Sequence, residues 1–219
     1  MVDGSRIPCI YVLAGTNGAG KSAIIGATFN ARGGLYFNPD IEAQRIGKHD
    51  PTLTQEAANS AAWHEGKRLL QQAIAEGKNF AFETTLGGNT IPALLERALD
   101  EGMEVRVWYA GLSSPELHIA RVHARVLRGG HPIPEADIRR RYETSRLNVI
   151  RLLPKVTELK VYDNSTDVDL KAGVPPELRL VLQWEHGRIA NPEDLHSTPD
   201  WAKPIVAAAM QLVERKSKP

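Results

Sequence analysis

Short apolar runs alternate with longer amphipathic segments over the first three quarters of the chain. Each run is near-continuously hydrophobic and contains β-branched or aromatic residues, a pattern typical of parallel strands buried on both faces of a sheet. The pattern predicts five such strands, at residues 7–14, 35–38, 79–84, 104–111 and 158–162.

The segments between these runs carry apolar residues at helical spacing. Gly77 and Gly102 follow two of them and fit helix C-terminal stops. Strands that alternate with helices imply βαβ units, and therefore an α/β fold with a mainly parallel sheet between two helical layers. The predicted helices are 21–29, 41–46, 54–77, 90–100, 115–127 and 135–153.

The last quarter of the chain departs from this alternation. Residues 178–185 and Ile189 flank a turn at 186–188 and predict a hairpin, and 200–214 predicts a closing helix. This tail is too short for a convincing core of its own. We therefore predict a single domain over 1–219, with a C-terminal appendage at about 174–219 made of the hairpin and the helix.

Composition narrows the class of protein. Of the 219 residues, 42% are hydrophobic and 24% charged, as in soluble proteins with a buried core. Lys and Arg number 27 against 26 Asp and Glu, so no global basic field favours nucleic acid. Cys9 is the single cysteine, and the first residues lack a long apolar stretch. We expect a cytoplasmic protein without a membrane segment.

A phosphate-binding motif follows the first predicted strand. Its glycines let backbone N–H groups surround phosphate oxygens, at the positive end of the next helix. Lys21 is expected to reach the β- and γ-phosphates of ATP, and Ser22 to bind Mg²⁺. The pattern G-x-x-x-x-G-K-[ST] predicts a P-loop NTPase, a three-layer α/β/α sandwich. The residues that match it are Gly15, Thr16, Asn17, Gly18, Ala19, Gly20, Lys21 and Ser22.

Carboxylates follow the second and third predicted strands, at the edge of the sheet where ligands bind. Asp40 is a candidate base for an acceptor hydroxyl, or alternatively the N-cap of the next helix. Glu83 and Thr84 are candidates to bind the acceptor. Glu83 could also hold a magnesium-bound water, or form a salt bridge with a neighbouring helix. No apolar run ends in a clear Walker-B aspartate, which disfavours a motor or transport ATPase.

Asn164 follows the last predicted parallel strand. This position is compatible with an adenine pocket, and equally with a simple Asx turn.

Seven arginines lie within residues 121–146, and Gly129-Gly130 interrupts them. Arginine side chains stabilise a phosphoryl group in transfer, so the two flanking helices are predicted to form a lid over the nucleotide, at about 114–153. The alternatives are a solvated helix face or an RNA-binding patch. The arginines are Arg121, Arg125, Arg128, Arg139, Arg140, Arg141 and Arg146.

Several of these segments together resemble the zeta-toxin family of P-loop kinases, including its short bacterial branch described as predicted ABC-type ATPases. They are GTNGAGKS (15–22), FNPD (37–40), FETTLGG (82–88), residues 111–122, RGGHPIPEADIRRRYETSRLN (128–148) and YDNS (162–165). The RGGHP segment is the most specific of them.

The resemblance implies phosphoryl transfer to a hydroxyl group. Characterised zeta toxins phosphorylate the 3′-hydroxyl of the sugar of UDP-N-acetylglucosamine. By motif, Asp40 would be the base, Lys21 the phosphate ligand and Glu83 a substrate contact. Arg128 and Arg141 would be the pair of lid arginines. The resemblance also allows a separate antitoxin chain as partner.

The sequence therefore favours an ATP-dependent small-molecule kinase with Mg²⁺. Two alternatives stay open. One is an ATP-dependent switch or ATPase without an acceptor, and the other is a polynucleotide-end kinase.

Overall fold

A single seven-stranded sheet forms the centre of the computed structural model, which describes residues 7–21, 36–166, 178–191 and 196–217. The strands lie close to their predicted positions. They are β1 (Cys9–Ala14), β2 (Tyr36–Phe37), β3 (Phe80–Thr84), β4 (Glu104–Gly111), β5 (Glu158–Asp163), β6 (Arg179–Glu185) and β7 (Arg188–Asn191).

The strand order β2-β3-β1-β4-β5-β6-β7 places the phosphate-loop strand β1 inside the sheet. The first five strands are parallel, and in the register of β1 Leu13 lies between Glu83 and Trp108. The carboxyl ends of β1, β2 and β3 therefore meet at one edge of the sheet. The predicted α/β class with a mainly parallel sheet is confirmed.

Six α-helices and one short 3₁₀ helix are found in the described parts of the chain. No described helix is long and apolar enough to cross a membrane. The predicted helix at 21–29 lies outside the described residues, apart from Lys21. The helices are α1 (Pro39–His49), α2 (Gln55–Ala75), α3 (Thr90–Asp100), α4 (Pro115–Val126), α5 (Glu135–Leu152), the 3₁₀ helix Asp200–Ala202 and α6 (Lys203–Ser217).

Alternate residues of β1 enter two different hydrophobic clusters. Ile10, Val12 and Ala14 join the larger cluster, to which α2, α3, α5 and α6 contribute. Leu13 packs with Trp108 on the other face of the sheet. Burial on both faces explains why the strands read as continuous apolar runs.

The C-terminal hairpin extends the central sheet. Strand β6 pairs with β5 and β7 pairs with β6, both antiparallel. Trp201 is buried, lies against Gly111 and donates its Nε1–H to Asp163 Oδ1 at 2.9 Å. The side chains of Ile205 and Ala209 belong to the larger cluster as well. The segment predicted as an appendage thus shares the core of the molecule.

Candidate active site

The phosphate loop is a tight turn held at the carboxyl end of β1. Thr16 and Asn17 are buried, and the backbone N–H of Ala19 donates to the carbonyl of Thr16 at 3.0 Å. Gly18 has φ +83°, and a Cβ there would lie 2.6 Å from the carbonyl oxygen of His118. Only glycine combines this left-handed backbone with so close an approach.

Lys21 points back into the loop. Its Nζ donates to the carbonyl of Gly15 at 2.8 Å and lies 3.4 Å from Glu83 Oε1. Its side chain is only 8% exposed, so the positive charge needs these partners. The salt bridge expected as an alternative for Glu83 therefore joins the P-loop lysine, not a neighbouring helix. Ser22, the predicted Mg²⁺ ligand, lies outside the described residues.

Glu83 is fixed by two donors from the β2 region. Tyr36 Oη donates to Glu83 Oε2 at 2.9 Å and Asn38 Nδ2 donates to the same oxygen at 3.0 Å. Burial, followed by the charge of Glu83, raises the pKa of Tyr36, so its hydroxyl stays protonated and remains a donor. Sequence reasoning missed Tyr36, because only the pairing of β2 with β3 brings its hydroxyl within reach of Glu83.

Asn38 begins α1 and caps it. Its Oδ1 accepts from the backbone N–H of Asp40 at 2.8 Å and of Ile41 at 3.2 Å. The alternative reading of Asp40 as the N-cap is wrong, because the cap is two residues earlier. The carboxylate of Asp40 is instead 41% exposed, 3.5 Å from Arg125 Nη1 and 3.8 Å from His131 Nε2.

Three of the seven clustered arginines line the cavities of the site, and four do not. Arg141 reaches the site, where its Nη1 donates to Asn17 Oδ1 of the phosphate loop at 2.9 Å. Arg125 reaches it through Asp40, and Arg121 lines the cavity beside the loop. Arg128 is exposed and lines neither cavity of the site, because it lies on the turn after α4. Its predicted part in phosphoryl transfer stays a prediction.

The remaining three arginines form surface ion pairs or pack against neighbouring side chains. Arg139 pairs with Glu116 and Arg140 with Asp137, both in exposed positions. Arg146 stacks over the ring of Tyr142, with Cζ 4.2 Å from the ring centroid. For Arg139 and Arg140 the solvated-face alternative describes the structure better than the lid, whereas the side chain of Arg146 is mostly buried and serves packing.

Helix α5 is tied to the loop that follows β3. Asn148 Nδ2 donates to the carbonyls of Leu86 at 2.7 Å and Gly88 at 3.0 Å, and Ser145 Oγ donates to that of Thr85 at 2.7 Å. Leu86 has φ +52°, unusual for a branched side chain, and these bonds hold its backbone in place. In the described structure this part of the predicted lid is anchored. Hinged closure of 114–153 stays a prediction.

His118 supports the phosphate loop from α4. Its Nδ1 lies 2.8 Å from the carbonyl oxygen of Asn17, so Nδ1 carries the proton and donates. Burial, together with the positive charges of Lys21, Arg121 and Arg146, lowers the pKa of His118 to about 4. The imidazole is therefore neutral at physiological pH. No group of three His, Cys, Asp or Glu side chains within the described ranges could hold a metal ion.

Asn164 lies beneath the loop. It is fully buried, and its Nδ2 donates to the carbonyl of Ala19 at 2.9 Å. The Asx-type turn is made by its neighbour, since Asp163 Oδ1 accepts from the backbone N–H of Ser165 at 3.2 Å. Asn164 lines neither cavity of the site. Its predicted adenine contact stays a prediction, and its observed role is to support the loop.

Two cavities meet at the edge of the sheet. One, of about 440 Å³, contains the phosphate loop with Lys21, and the other, of about 890 Å³, extends along α2. The two share one wall. It is formed by Asn17, Pro39, Asp40, Glu83, Thr84, Thr85 and His131.

The family model for Zeta toxin matches residues 2–170, which is more than half of the chain. The chain belongs to the zeta-toxin family. This confirms the resemblance drawn from the motifs, and with it the predicted enzyme class, an ATP-dependent phosphotransferase.

A relative in Haemophilus influenzae, an uncharacterized protein, is 34% identical over 129 residues, covering 58% of this chain and 88% of that protein. Among solved structures, AvrRxo1-ORF1:-ORF2 with ATP has a TM-score of 0.66 at 13% identity and covers 94% of this chain. The present chain spans 64% of the length of that AvrRxo1 chain.

The PezAT chromosomal toxin–antitoxin system of Streptococcus pneumoniae has a TM-score of 0.57 at 14% identity, covering 98% of this chain and 89% of that one. At these identities the structures show the shared fold, that of P-loop kinases.

Proposed function

We propose that this zeta-toxin-family protein transfers the γ-phosphate of ATP to a hydroxyl of a small acceptor, with Asp40 as the general base. The observation that carries the proposal is the position of Asp40. Its side chain stands on the wall shared by the phosphate-loop cavity and the larger cleft. A base at that wall can contact a hydroxyl in one cavity while the phosphate to be transferred lies in the other.

The nucleotide side of the proposal rests on the P-loop. Lys21 would move from the Gly15 carbonyl to the β- and γ-phosphates, whose negative charge is the stronger partner. Arg141 is hydrogen-bonded to Asn17 of the loop and would bind the same phosphates. AvrRxo1-ORF1:-ORF2, solved with ATP, has the same fold and supports this nucleotide.

Mg²⁺ fits the donor set at this position. Magnesium in phosphate sites usually takes one or two protein oxygens and keeps several waters. Ser22 follows Lys21 in the chain, and Glu83 Oε1 faces Lys21, so these two residues would hold the ion, Glu83 through a water. When bound, Mg²⁺ supplies charge neutralisation on the phosphates.

The chemical step needs a group that takes the proton of the acceptor hydroxyl. A carboxylate oxygen can accept that proton, and Asp40 forms part of the wall shared by the two cavities. As the acceptor oxygen bonds to the γ-phosphorus and the bond to ADP breaks, Asp40 takes the hydroxyl proton. An acceptor cleft beside such a base favours a kinase over an ATPase that uses water alone.

The larger cleft supports an acceptor bigger than a simple sugar. Helix α2 contributes Trp63, which is 42% exposed, together with the polar side chains of Asn59, Ser60 and Lys67. An aromatic face can stack on a planar ring, and a lysine can bind a phosphate. A sugar nucleotide has both groups, so we propose an acceptor of this class, with UDP-N-acetylglucosamine as the first to assay.

The test is an incubation of a metabolite extract with the protein, ATP and Mg²⁺. We expect one metabolite to gain the mass of a phosphate, and purified UDP-N-acetylglucosamine to give the same product. The matched control is Lys21→Ala, which removes the phosphate ligand and abolishes transfer. ATP turnover by the wild-type protein without any phosphorylated metabolite would contradict the kinase and favour the ATPase alternative.

We also propose that a separate antitoxin chain binds this protein, as suggested by the PezAT toxin–antitoxin structure. Toxicity is tested by induced expression in a bacterial host. Growth arrest with the wild-type chain, and not with Lys21→Ala, is the expected result. Equal growth of both strains at equal protein levels would contradict a toxic activity of this chain, and with it the need for an antitoxin.

A further inference from the structure

The turn between α4 and α5 folds His131 back into the active site. Gly129 has φ +89°, and a Cβ on Gly130 would lie 2.7 Å from Arg125 Cγ. The backbone N–H of Gly130 donates to the carbonyl of Arg125 at 3.0 Å. Because the two glycines allow this sharp return, His131 lies beside Arg125 and not in solvent.

His131 and Arg125 approach opposite oxygens of Asp40. His131 Nε2 is 3.8 Å from Oδ1, and Arg125 Nη1 is 3.5 Å from Oδ2. Arg125 also fixes the turn, since its Nη2 donates to the carbonyl of His131 at 3.2 Å. The imidazole is only 10% exposed, yet it lines both cavities.

The two neighbours of Asp40 differ in chemistry. A guanidinium keeps its proton at all physiological pH values and can only donate, whereas a neutral imidazole can accept a proton and release it. The separation of 3.8 Å is longer than a hydrogen bond, and such contacts often shorten when the substrate binds. Of the two, His131 alone can relieve Asp40 of a proton.

We propose that His131 receives the proton that Asp40 takes from the acceptor hydroxyl, a role that rests on the kinase function proposed above. The acceptor O–H bond breaks as its oxygen bonds to the γ-phosphorus, and the electrons of the broken phosphorus–oxygen bond leave with ADP. The proton passes to Asp40 and then to His131 Nε2, and from the imidazolium to solvent through the cavity. Asp40 is thereby ionised again for the next turnover.

Other charged groups face this region and do not replace His131. Arg141 and Asp137 lie across the larger cleft and are paired with each other at 3.4 Å. Glu83 is held by Tyr36 and Asn38 and faces Lys21. In the described part of the chain, the carboxylate of Asp40 therefore has one imidazole and one guanidinium as its ion-pairing neighbours.

The chain offers a matched control for a histidine beside a carboxylate. His123 Nε2 on α4 lies 3.7 Å from Glu135 Oε1, which is nearly the distance of the His131–Asp40 pair. Both partners are exposed, and neither lines a cavity of the site. A substitution there changes a similar pair without touching the reaction.

The experiment compares His131→Ala with His123→Ala in the full-length protein, with ATP, Mg²⁺ and UDP-N-acetylglucosamine or the metabolite phosphorylated in the extract. We expect kcat of His131→Ala to fall by about 10- to 100-fold, at the lower end of general acid–base effects, with the KM for ATP within about twofold. Added imidazole restores part of this rate. His123→Ala keeps the wild-type rate and does not respond to imidazole.

Wild-type kcat in His131→Ala, a loss confined to KM, or a lower kcat that imidazole does not restore would each overturn the inference. His131→Gln, which keeps a polar side chain in the turn, serves if the alanine variant does not fold. It should remain slow, and wild-type kcat in this variant would likewise overturn the inference. A wild-type protein that phosphorylates no acceptor contradicts the proposed function, whereas an active wild type with an equally active histidine variant contradicts only this inference.

Discussion

Asp40 and Asn38 divide two tasks that the sequence assigns to a single residue. Asn38 satisfies the first backbone N–H groups of α1, so the carboxylate of Asp40, at the second helical position, does not cap the helix. A substitution at Asp40 can therefore test the proposed general base without removing the N-cap of α1.

Asp40→Asn should keep the fold and the affinity for ATP and lose transfer to the acceptor. The amide has the size of the carboxylate and cannot take a proton, so the chemical step should slow by about 10²–10⁴-fold. Calorimetry with ATP and a transfer assay check the two halves of this prediction. Full transfer activity would remove Asp40 from the reaction, and loss of ATP binding by a folded variant would indicate a magnesium role.

His118 should make stability depend on pH. Its pKa is lowered in the folded protein to about 4, below the ordinary 6.5, so the unfolded chain takes up the proton first. The contribution of the neutral His118 to the free energy of unfolding is fully present above pH 6.5 and is lost as pH falls towards 4. From this shift we expect the wild type to lose about 2 kcal/mol more than His118→Asn between pH 7 and pH 4.5. Urea unfolding at several pH values measures the stability of both proteins. The same dependence of stability on pH in the two proteins would contradict the buried neutral imidazole.

At the scale of elements, the end of α4 decides which arginine serves Asp40. Arg125 lies within the helix and points to the site, and Arg128 lies on the exposed turn after it. Arg125→Ala should lower phosphoryl transfer by about 10²-fold, because the proposed base Asp40 loses the guanidinium that pairs with it. Arg128→Ala should change it by only a few fold. The reverse order in a transfer assay would favour the assignment made from the family motif.

Helix α5 should set both the stability and the shape of the acceptor cleft. Asn148→Ala removes two hydrogen bonds to the strained loop at Leu86, which should cost about 2 kcal/mol. The KM for the acceptor should rise more than the KM for ATP, since Leu86 lines only the larger cleft. Leu147→Ala, exposed on the same helix, is the control. Equal stability of the two variants would show that the loop at Leu86 keeps its conformation without the hydrogen bonds from Asn148.

Local patterns account for most elements and for the phosphate loop. The helix at 90–100 and the strand at 104–111 are found with the predicted bounds, because spacing and glycine stops are local signals. The partners of Asp40 were not predictable in the same way. Arg125 and His131 reach it across 85 and 91 positions, so only the packing of α4 against α5 and the phosphate loop brings them there.

At the scale of the whole molecule, the C-terminal segment is expected to unfold together with the rest. Trp201 bonds to Asp163 and packs on Gly111 at the end of β4, so Trp201→Ala should cost about 3–5 kcal/mol. Met210→Ala, exposed on α6, should cost far less. Denaturant unfolding followed by two probes should show one transition. Separate transitions would mean that the tail folds as an independent unit.

The two walls of the larger cleft differ in what else they contact. The wall at Thr84 and Thr85 is bonded to α5, which also carries Arg141, so a change there disturbs the phosphate side as well. The opposite wall belongs to α2, where Trp63 and Lys67 lie outside the phosphate-loop cavity. Divergence among related proteins can therefore proceed along α2, exchanging one acceptor for another while the transfer chemistry is inherited unchanged.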